Sequence, residues 1–184
     1  DGPPLHAHAQ PDYRKRRIVE RLTELPRATI EDMQNLQYDV LSLQARDLLP
    51  VLLALVDDDR PLKQKLVNWD CRYTPTSTEA TLYQHFYRHV VLQIFGNEQG
   101  IGWWWMFYLC TRMGYSTMVL TAIDRMLRKV TSSWWRGRSK KALVQKAAEL
   151  AEKEPIKPWS EFNTFHFVDR FFGSARAGRL LGFR

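Results

Sequence analysis

The chain has 184 residues, of which 45% are hydrophobic and 26% are charged, and its formal net charge is +7 at pH 7. These proportions are typical of a globular domain and exclude an intrinsically disordered chain, and the length suffices for one domain with its own core. The positive charge permits binding to nucleic acid or to an anionic surface but requires neither.

Residues 1–12, DGPPLHAHAQPD, contain three prolines and no hydrophobic periodicity. That composition predicts an extended segment, and His6 and His8 within it lack the further ligands that a metal site needs. We therefore expect an extended lead-in over residues 1–12, followed by a single helical domain over residues 13–184.

The first helix is indicated by Ile18, Leu22 and Leu25, which recur at the spacing of one helix face and stop before Pro26. Thr29 then has the character of an N-cap, because two acidic residues fall in the first turn after it. Apolar and amide side chains continue on one broad helix face: Ile30, Met33, Leu36, Gln37, Val40, Leu41 and Gln44. The polar residues Gln37, Asp39, Ser42 and Gln44 exceed what solubility requires, so we expect some of them to meet buried partners.

Five further helices are predicted downstream of this segment. They are a buried helix carrying Leu48 to Leu55, a short helix from Pro61 through Asn68, a helix that Thr76 and Glu79 cap and Gly96 ends, and two amphipathic helices at Met118–Val130 and Lys141–Glu154. The polar face of the Met118–Val130 helix carries Asp124, Arg125, Arg128 and Lys129. With six or seven helices and no convincing alternation of apolar and polar residues, the expected fold class is mainly α, with a loop-rich C-terminal tail.

The sequence predicts no metal site and no cofactor. His85 and His89 are one helical turn apart, but the glutamate of a zinc-protease motif is absent between them. The carboxylates at 57–59 lack the alternating oxygen ligands and the glycine of a calcium loop. Cys71 and Cys110 have no metal-ligand spacing, and we interpret them as two packed thiols.

The most apolar run of the chain, WWWMFYLC at 103–110, is too short to span a bilayer, and we predict no membrane contact. Its large side chains, Trp104, Trp105 and Phe107 among them, either pack a core or line an apolar pocket for an acyl group. Core packing is the more common role of such a stripe.

A basic turn at 132–141, SSWWRGRSKK, alternates aromatic and cationic side chains. Such alternation is found in platforms that bind single-stranded nucleic acid. No pattern of a sheet-based or groove-based nucleic-acid domain accompanies it, so we do not expect nucleic acid as a partner.

An ordered set of short motifs resembles the β-subunit of the penicillin acylase family. In chain order the motifs are Arg17-Ile18, Thr29-Ile30-Glu31-Asp32, Gln37-x-Asp39-x-x-Ser42-x-x-Ala45, Leu66-x-x-Trp69-Asp70, the helix start near Ser77, and Trp159 with His166. Each motif alone carries little information, but together they follow the family's order over almost the whole chain. Members of this family are N-terminal-nucleophile amidohydrolases that are cut from a precursor into α and β chains.

The resemblance implies a division of labour within a larger enzyme. Arg17 would lie near the active site and help to orient the catalytic machinery, and the aromatic run would wall the acyl pocket. The family's reaction core is a two-sheet sandwich with an N-terminal Ser, Thr or Cys as nucleophile, whereas residue 1 here is aspartate and the predicted elements are helices. We therefore expect the helical segment of a β-chain, inactive alone, whose partners are the remaining β-chain, the α-subunit and a small amide substrate. A penicillin, an N-acyl homoserine lactone or a related amide would suit, in a periplasmic or secreted enzyme.

Two other classes of function remain open from sequence. One is a stand-alone helical interaction module, whose apolar C-terminal residues Leu180, Leu181 and Phe183 would dock on a partner protein. The other, less favoured, is a basic nucleic-acid-binding domain that uses residues 14–17 and 134–141.

Overall fold

The computed structural model describes residues 11–96, 102, 105, 108, 116–135 and 137–164. The described part contains eight α-helices, one short 3-10 helix and no strand beyond an isolated antiparallel bridge between Leu41 and Arg72. The prediction of a mainly α fold is confirmed. The sequence pattern assigns Trp159–Phe162 to the tail, and this single helical turn brings the number of α-helices to eight.

The helices follow one another in chain order with short connections. They are α1 (Tyr13–Thr23), α2 (Ile30–Gln37), α3 (Leu43–Leu53), α4 (Pro61–Leu66), α5 (Thr78–Phe95), α6 (Ser116–Leu127), α7 (Lys140–Ala151) and α8 (Trp159–Phe162), with the 3-10 helix Ser133–Trp135 between α6 and α7.

Helix α5 is the centre of the core. Most of its residues are buried, and Tyr83 and Phe86 are among the largest side chains that no solvent reaches. It packs along α7, whose small Ala147, Ala148 and Ala151 let the two backbones approach closely, and it also contacts α4 and α8. Burial of this apolar surface is the main source of stability for the bundle. On the other side of the molecule, α3 packs against α1 and α6.

The caps of the helices are largely those that the sequence predicts. Thr29 forms a full capping box with Asp32 at the start of α2, and Gly96 ends α5. The cap of α5 is Ser77 rather than Thr76, since the Ser77 hydroxyl accepts a hydrogen bond from the Ala80 amide. Pro50 lies inside α3, where it removes one helical hydrogen bond.

One prediction about the chain's path is wrong. The broad apolar face from Ile30 to Gln44 predicts a continuous helix, but α2 ends at Gln37 and α3 begins only at Leu43. Polar side chains cause the break. The Asp39 carboxylate accepts the Leu41 amide, and the Ser42 hydroxyl caps α3 at the Ala45 amide, so the backbone finds partners outside a helix.

Candidate functional site

Arg17, the residue that the resemblance singles out, lies on α1 in a fixed position. Its Nε donates to Asp39 Oδ2 at 2.6 Å, and its Nη1 donates to Glu20 Oε2 at 3.0 Å. Only 16% of its side chain is exposed. Glu20 is in turn paired with Arg46 of α3, so the guanidinium of Arg17 is held between two carboxylates of which one is itself anchored. Such a guanidinium is preorganised as a fixed positive charge.

Asp39 is the inner partner of this pair, with only 7% of its side chain exposed. Burial opposes its ionisation, but the hydrogen bonds from Arg17 and from the Leu41 amide outweigh that cost, so the pKa of Asp39 lies below its usual value. The break between α2 and α3 therefore serves the site, because it places this carboxylate opposite α1.

A cleft of about 310 Å³ opens beside the pair. Its walls are formed by Arg17, Arg21, Asn35, Tyr38, Asp39 and Arg72. Arg72 is brought there by a sharp turn of the backbone at Cys71, whose φ of 60° lies in the left-handed region. The bridge with Leu41 then holds the Arg72 backbone in place.

A second polar cluster surrounds Asp124 of α6, which is only 3% exposed. Its Oδ2 accepts hydrogen bonds from Tyr13 Oη at 3.1 Å and from Gln44 Nε2 at 2.9 Å, and its Oδ1 accepts from Tyr87 Oη at 2.6 Å. Desolvation, followed by the charge of Asp124, raises the pKa of Tyr13 to about 12. Four helices, α1, α3, α5 and α6, therefore meet at one carboxylate.

An ion-pair pattern extends this cluster toward solvent. Asp47 of α3 accepts from Arg16 of α1 at 2.8 Å and from Arg128 of α6 at 3.1 Å. Together with Asp124 it fixes α1 against α3, and hence fixes the position of Arg17 one residue further along α1. We assign both carboxylates a structural role.

The Asp124 cluster is what reasoning from the sequence missed. The pattern places Asp124 on the solvated polar face of its helix, and that placement is wrong because the side chain is buried. Gln44, by contrast, was among the polar residues expected to meet a buried partner, and its contact with Asp124 confirms that expectation. An acid adjacent to the buried Ile123 was the one local signal that could have pointed inward.

Of the proposed pocket residues, the structure describes only Trp105. Trp104 and Phe107 lie outside the described residues. Trp105 is 62% exposed, and its ring meets Tyr108 edge-on at 5.9 Å between centroids. The preferred expectation of core packing is therefore not met at Trp105. Among the described residues, no helix has the length and apolar character to cross a bilayer.

The two histidines of α5 have different environments. His89 pairs with Glu154 at 3.0 Å, whereas His85 is buried with its ring edge-on to Phe162 at 4.9 Å between centroids. Within the part of the chain that is described, no group of three or more His, Cys, Asp or Glu side chains is placed to hold a metal ion. Cys71 is a buried free thiol, while Cys110 lies outside the described residues.

His85 makes the fold sensitive to acid. Burial lowers the pKa of its imidazole below the ordinary value, so at acid pH the unfolded chain binds a proton that the folded chain does not. Above about pH 6.5 the residue is neutral in both states and has no effect; below it, stability falls by up to about 1.4 kcal/mol per pH unit until the folded pKa is reached. Urea unfolding of the protein at about pH 7.5 and about pH 5 should therefore show a smaller acid loss for His85→Gln than for wild type.

The matched control for this experiment is His89→Gln, which removes the other histidine of the same helix face. It should not reduce the acid loss, because His89 lies beside Glu154 rather than within the core. Equal acid loss in wild type and His85→Gln would show that the proton taken up on unfolding does not belong to His85.

The basic turn is largely occupied in the fold. Trp135 is buried, Arg138 Nη1 donates to the Gln93 carbonyl at 2.9 Å, and Lys140 donates to the Leu127 carbonyl at 2.5 Å and the Lys129 carbonyl at 3.1 Å. Lys140 thus neutralises the C-terminal end of α6, where the helix dipole is negative. These contacts hold two of the cations against the backbone rather than presenting them to a partner.

Comparison with known proteins gives one family and no individual relative. The family model described as penicillin amidase matches residues 1–180. No curated protein matches the chain significantly.

Proposed function

The chain belongs to the penicillin amidase family, and we propose that it is the helical segment of the β-subunit of an amidohydrolase with an N-terminal nucleophile. Membership implies a parent protein that hydrolyses amide bonds. The proposal adds that the parent enzyme cleaves linear amides through an acyl-enzyme, that a serine supplies the attacking oxygen, and that this segment alone has no activity.

Arg17 is the residue of this segment that supports the reaction centre. The observation that carries this assignment is its double attachment to Asp39 and Glu20 at the edge of a solvent-accessible cleft. A guanidinium held in this way needs no reorganisation when negative charge develops nearby during amide cleavage, and such preorganised charges are a major source of transition-state stabilisation.

The surface of α1 and α2 supports the placement of this segment inside a larger enzyme. Neither helix has a buried residue, although both follow an amphipathic pattern. Ile30 and Tyr38 are each 81% exposed, and Val19 and Leu22 of α1 are also exposed. Large apolar side chains on two neighbouring helices are typical of a surface that another protein part covers. In the proposal, this surface contacts the remaining β-chain and the α-subunit.

The aromatic run forms part of the acyl pocket in this proposal. Trp104, Trp105 and Phe107 would contact an aromatic or fatty acyl group, and the exposure of Trp105 leaves its ring accessible for such a contact. A stand-alone interaction module would use the same apolar surfaces, but it would hydrolyse no amide.

The test is amide hydrolysis by the full-length protein. We expect release of p-nitroaniline from N-phenylacetyl-p-nitroanilide or from an N-fatty-acyl-p-nitroanilide, with a burst of product when deacylation is the slower step. A variant without the N-terminal nucleophile of the β-chain serves as the control. If the wild-type protein releases no more p-nitroaniline than this control from any of these amides, the proposed function is wrong.

A further inference from the structure

The cleft beside Arg17 is cationic. Three of its six lining residues are arginines, one is the carboxylate Asp39, and the other two are the amide Asn35 and the phenol Tyr38. The lining therefore carries a net charge of +2, from three arginines and one aspartate. Apart from Asp39, its polar side chains can all donate hydrogen bonds, which suits an anionic ligand.

The three arginines are engaged to different degrees. Arg17 donates to Asp39 and Glu20, and Arg21 donates to Glu24 at 2.8 Å. Arg72 Nη1 lies 4.0 Å from Asp39 Oδ1, which is an ion-pair contact too long for a hydrogen bond. Arg72 is thus the cation of this cleft with the weakest carboxylate contact.

The backbone of Arg72 is nevertheless fixed. It forms the bridge with Leu41, and its amide donates to Asp70 Oδ1 at 2.9 Å. A rigid main chain with a guanidinium that lacks a hydrogen-bonded carboxylate is a suitable arrangement for a ligand carboxylate. Arginine binds such a group through two parallel hydrogen bonds, which lysine cannot reproduce.

We propose that this cleft binds a carboxylate on the amine half of the amide substrate and that Arg72 is the residue that selects for it, with Asn35 and Tyr38 as further donors. The inference rests on the proposed function, in which Arg17 lies beside the scissile amide and the acyl half enters an aromatic pocket. Because that pocket is apolar, the anionic group belongs to the other half of the substrate. The substrate class is then N-acyl amino acids and related amides with an acidic amine half, in preference to neutral lactones.

The experiment compares two substrates that differ only in charge, N-phenylacetylglycine and N-phenylacetylglycinamide, using the full-length enzyme. Replacing Arg72 with glutamine should lower kcat/KM for N-phenylacetylglycine roughly 10- to 100-fold, the value of a hydrogen bond to a charged group, and leave the glycinamide within about twofold. Arg72→Lys should give an intermediate loss, because it keeps the charge and loses the paired geometry. Arg88→Gln is the matched control, since Arg88 pairs with Glu154 away from the cleft and should change neither substrate.

Equal losses for both substrates, or no loss for either, would overturn the inference while leaving the proposed function intact. A loss confined to N-glutaryl-p-nitroanilide, whose carboxylate is on the acyl half, would also overturn it, because the cleft would then bind the acyl side. If the wild-type enzyme hydrolyses none of these amides, the proposed function fails, and this inference fails with it.

Discussion

Replacing Asp124 with alanine is expected to destabilise the protein by about 3 kcal/mol or more, since each buried group left without a partner costs about 1–3 kcal/mol. The change removes the only carboxylate at the junction of four helices that Tyr13, Gln44 and Tyr87 all contact, and leaves those three donors unpaired. The measurement is the free energy of unfolding in urea, with Asp59→Ala as the control because that side chain is exposed on a turn.

A double-mutant cycle with Tyr87→Phe would identify the source of this loss. If the hydrogen bond from Tyr87 Oη contributes as its 2.6 Å length indicates, the two changes should be non-additive by about 0.5–3 kcal/mol. Additive effects, or a loss for Asp124→Ala no larger than that for Asp59→Ala, would show that this carboxylate does not hold the helices together.

Replacing Arg17 with alanine is expected to lower kcat for amide hydrolysis by the full-length enzyme roughly 10²- to 10³-fold, the cost of removing one preorganised electrostatic contact in a reaction centre. The substitution also leaves Asp39 without its main partner, although that side chain is only 7% exposed. Some loss of stability is therefore expected too, so the kinetic effect must be measured at a temperature where the variant remains folded.

Two further variants separate these contributions. Asp39→Asn breaks the same ion pair but keeps the guanidinium, so it should cost less activity than Arg17→Ala at a comparable loss of stability. Arg17→Lys keeps the charge and should retain part of the rate. If Asp39→Asn abolishes activity as completely as Arg17→Ala, the pair is required for folding of the site, and Arg17 has no separate role in the reaction.

The helices of this chain could largely be predicted from sequence because their signals are local. Thr29 caps α2 as expected, and the apolar spacing of α1, α5, α6 and α7 places each of them within a few residues. The break between α2 and α3 could not be predicted in this way. It depends on Leu41 pairing with Arg72, thirty-one positions away, and no local pattern announces that contact.

The candidate site was predictable in its parts but not in its arrangement. Arg17 came from the resemblance, and Asp39 from the expectation that excess polar residues meet buried partners, yet nothing in the sequence pairs the two. Arg72 and Tyr38 gave no signal, since each is a polar residue in a loop. Asp124 was misplaced because an acid beside three basic residues on a helix normally faces solvent. Its burial is decided by Tyr13 and Tyr87, which lie on other helices.

The most direct test of the account is the mass of the full-length enzyme quenched during turnover of an activated amide. We predict a covalent adduct on the β-chain with the mass of the acyl group, which accumulates in the wild type and forms much more slowly in Arg17→Ala. Rapid adduct formation that is unaffected by loss of Arg17, or an amide that remains intact with no adduct at all, would contradict the placement of this helical segment beside the reaction centre of an acylase.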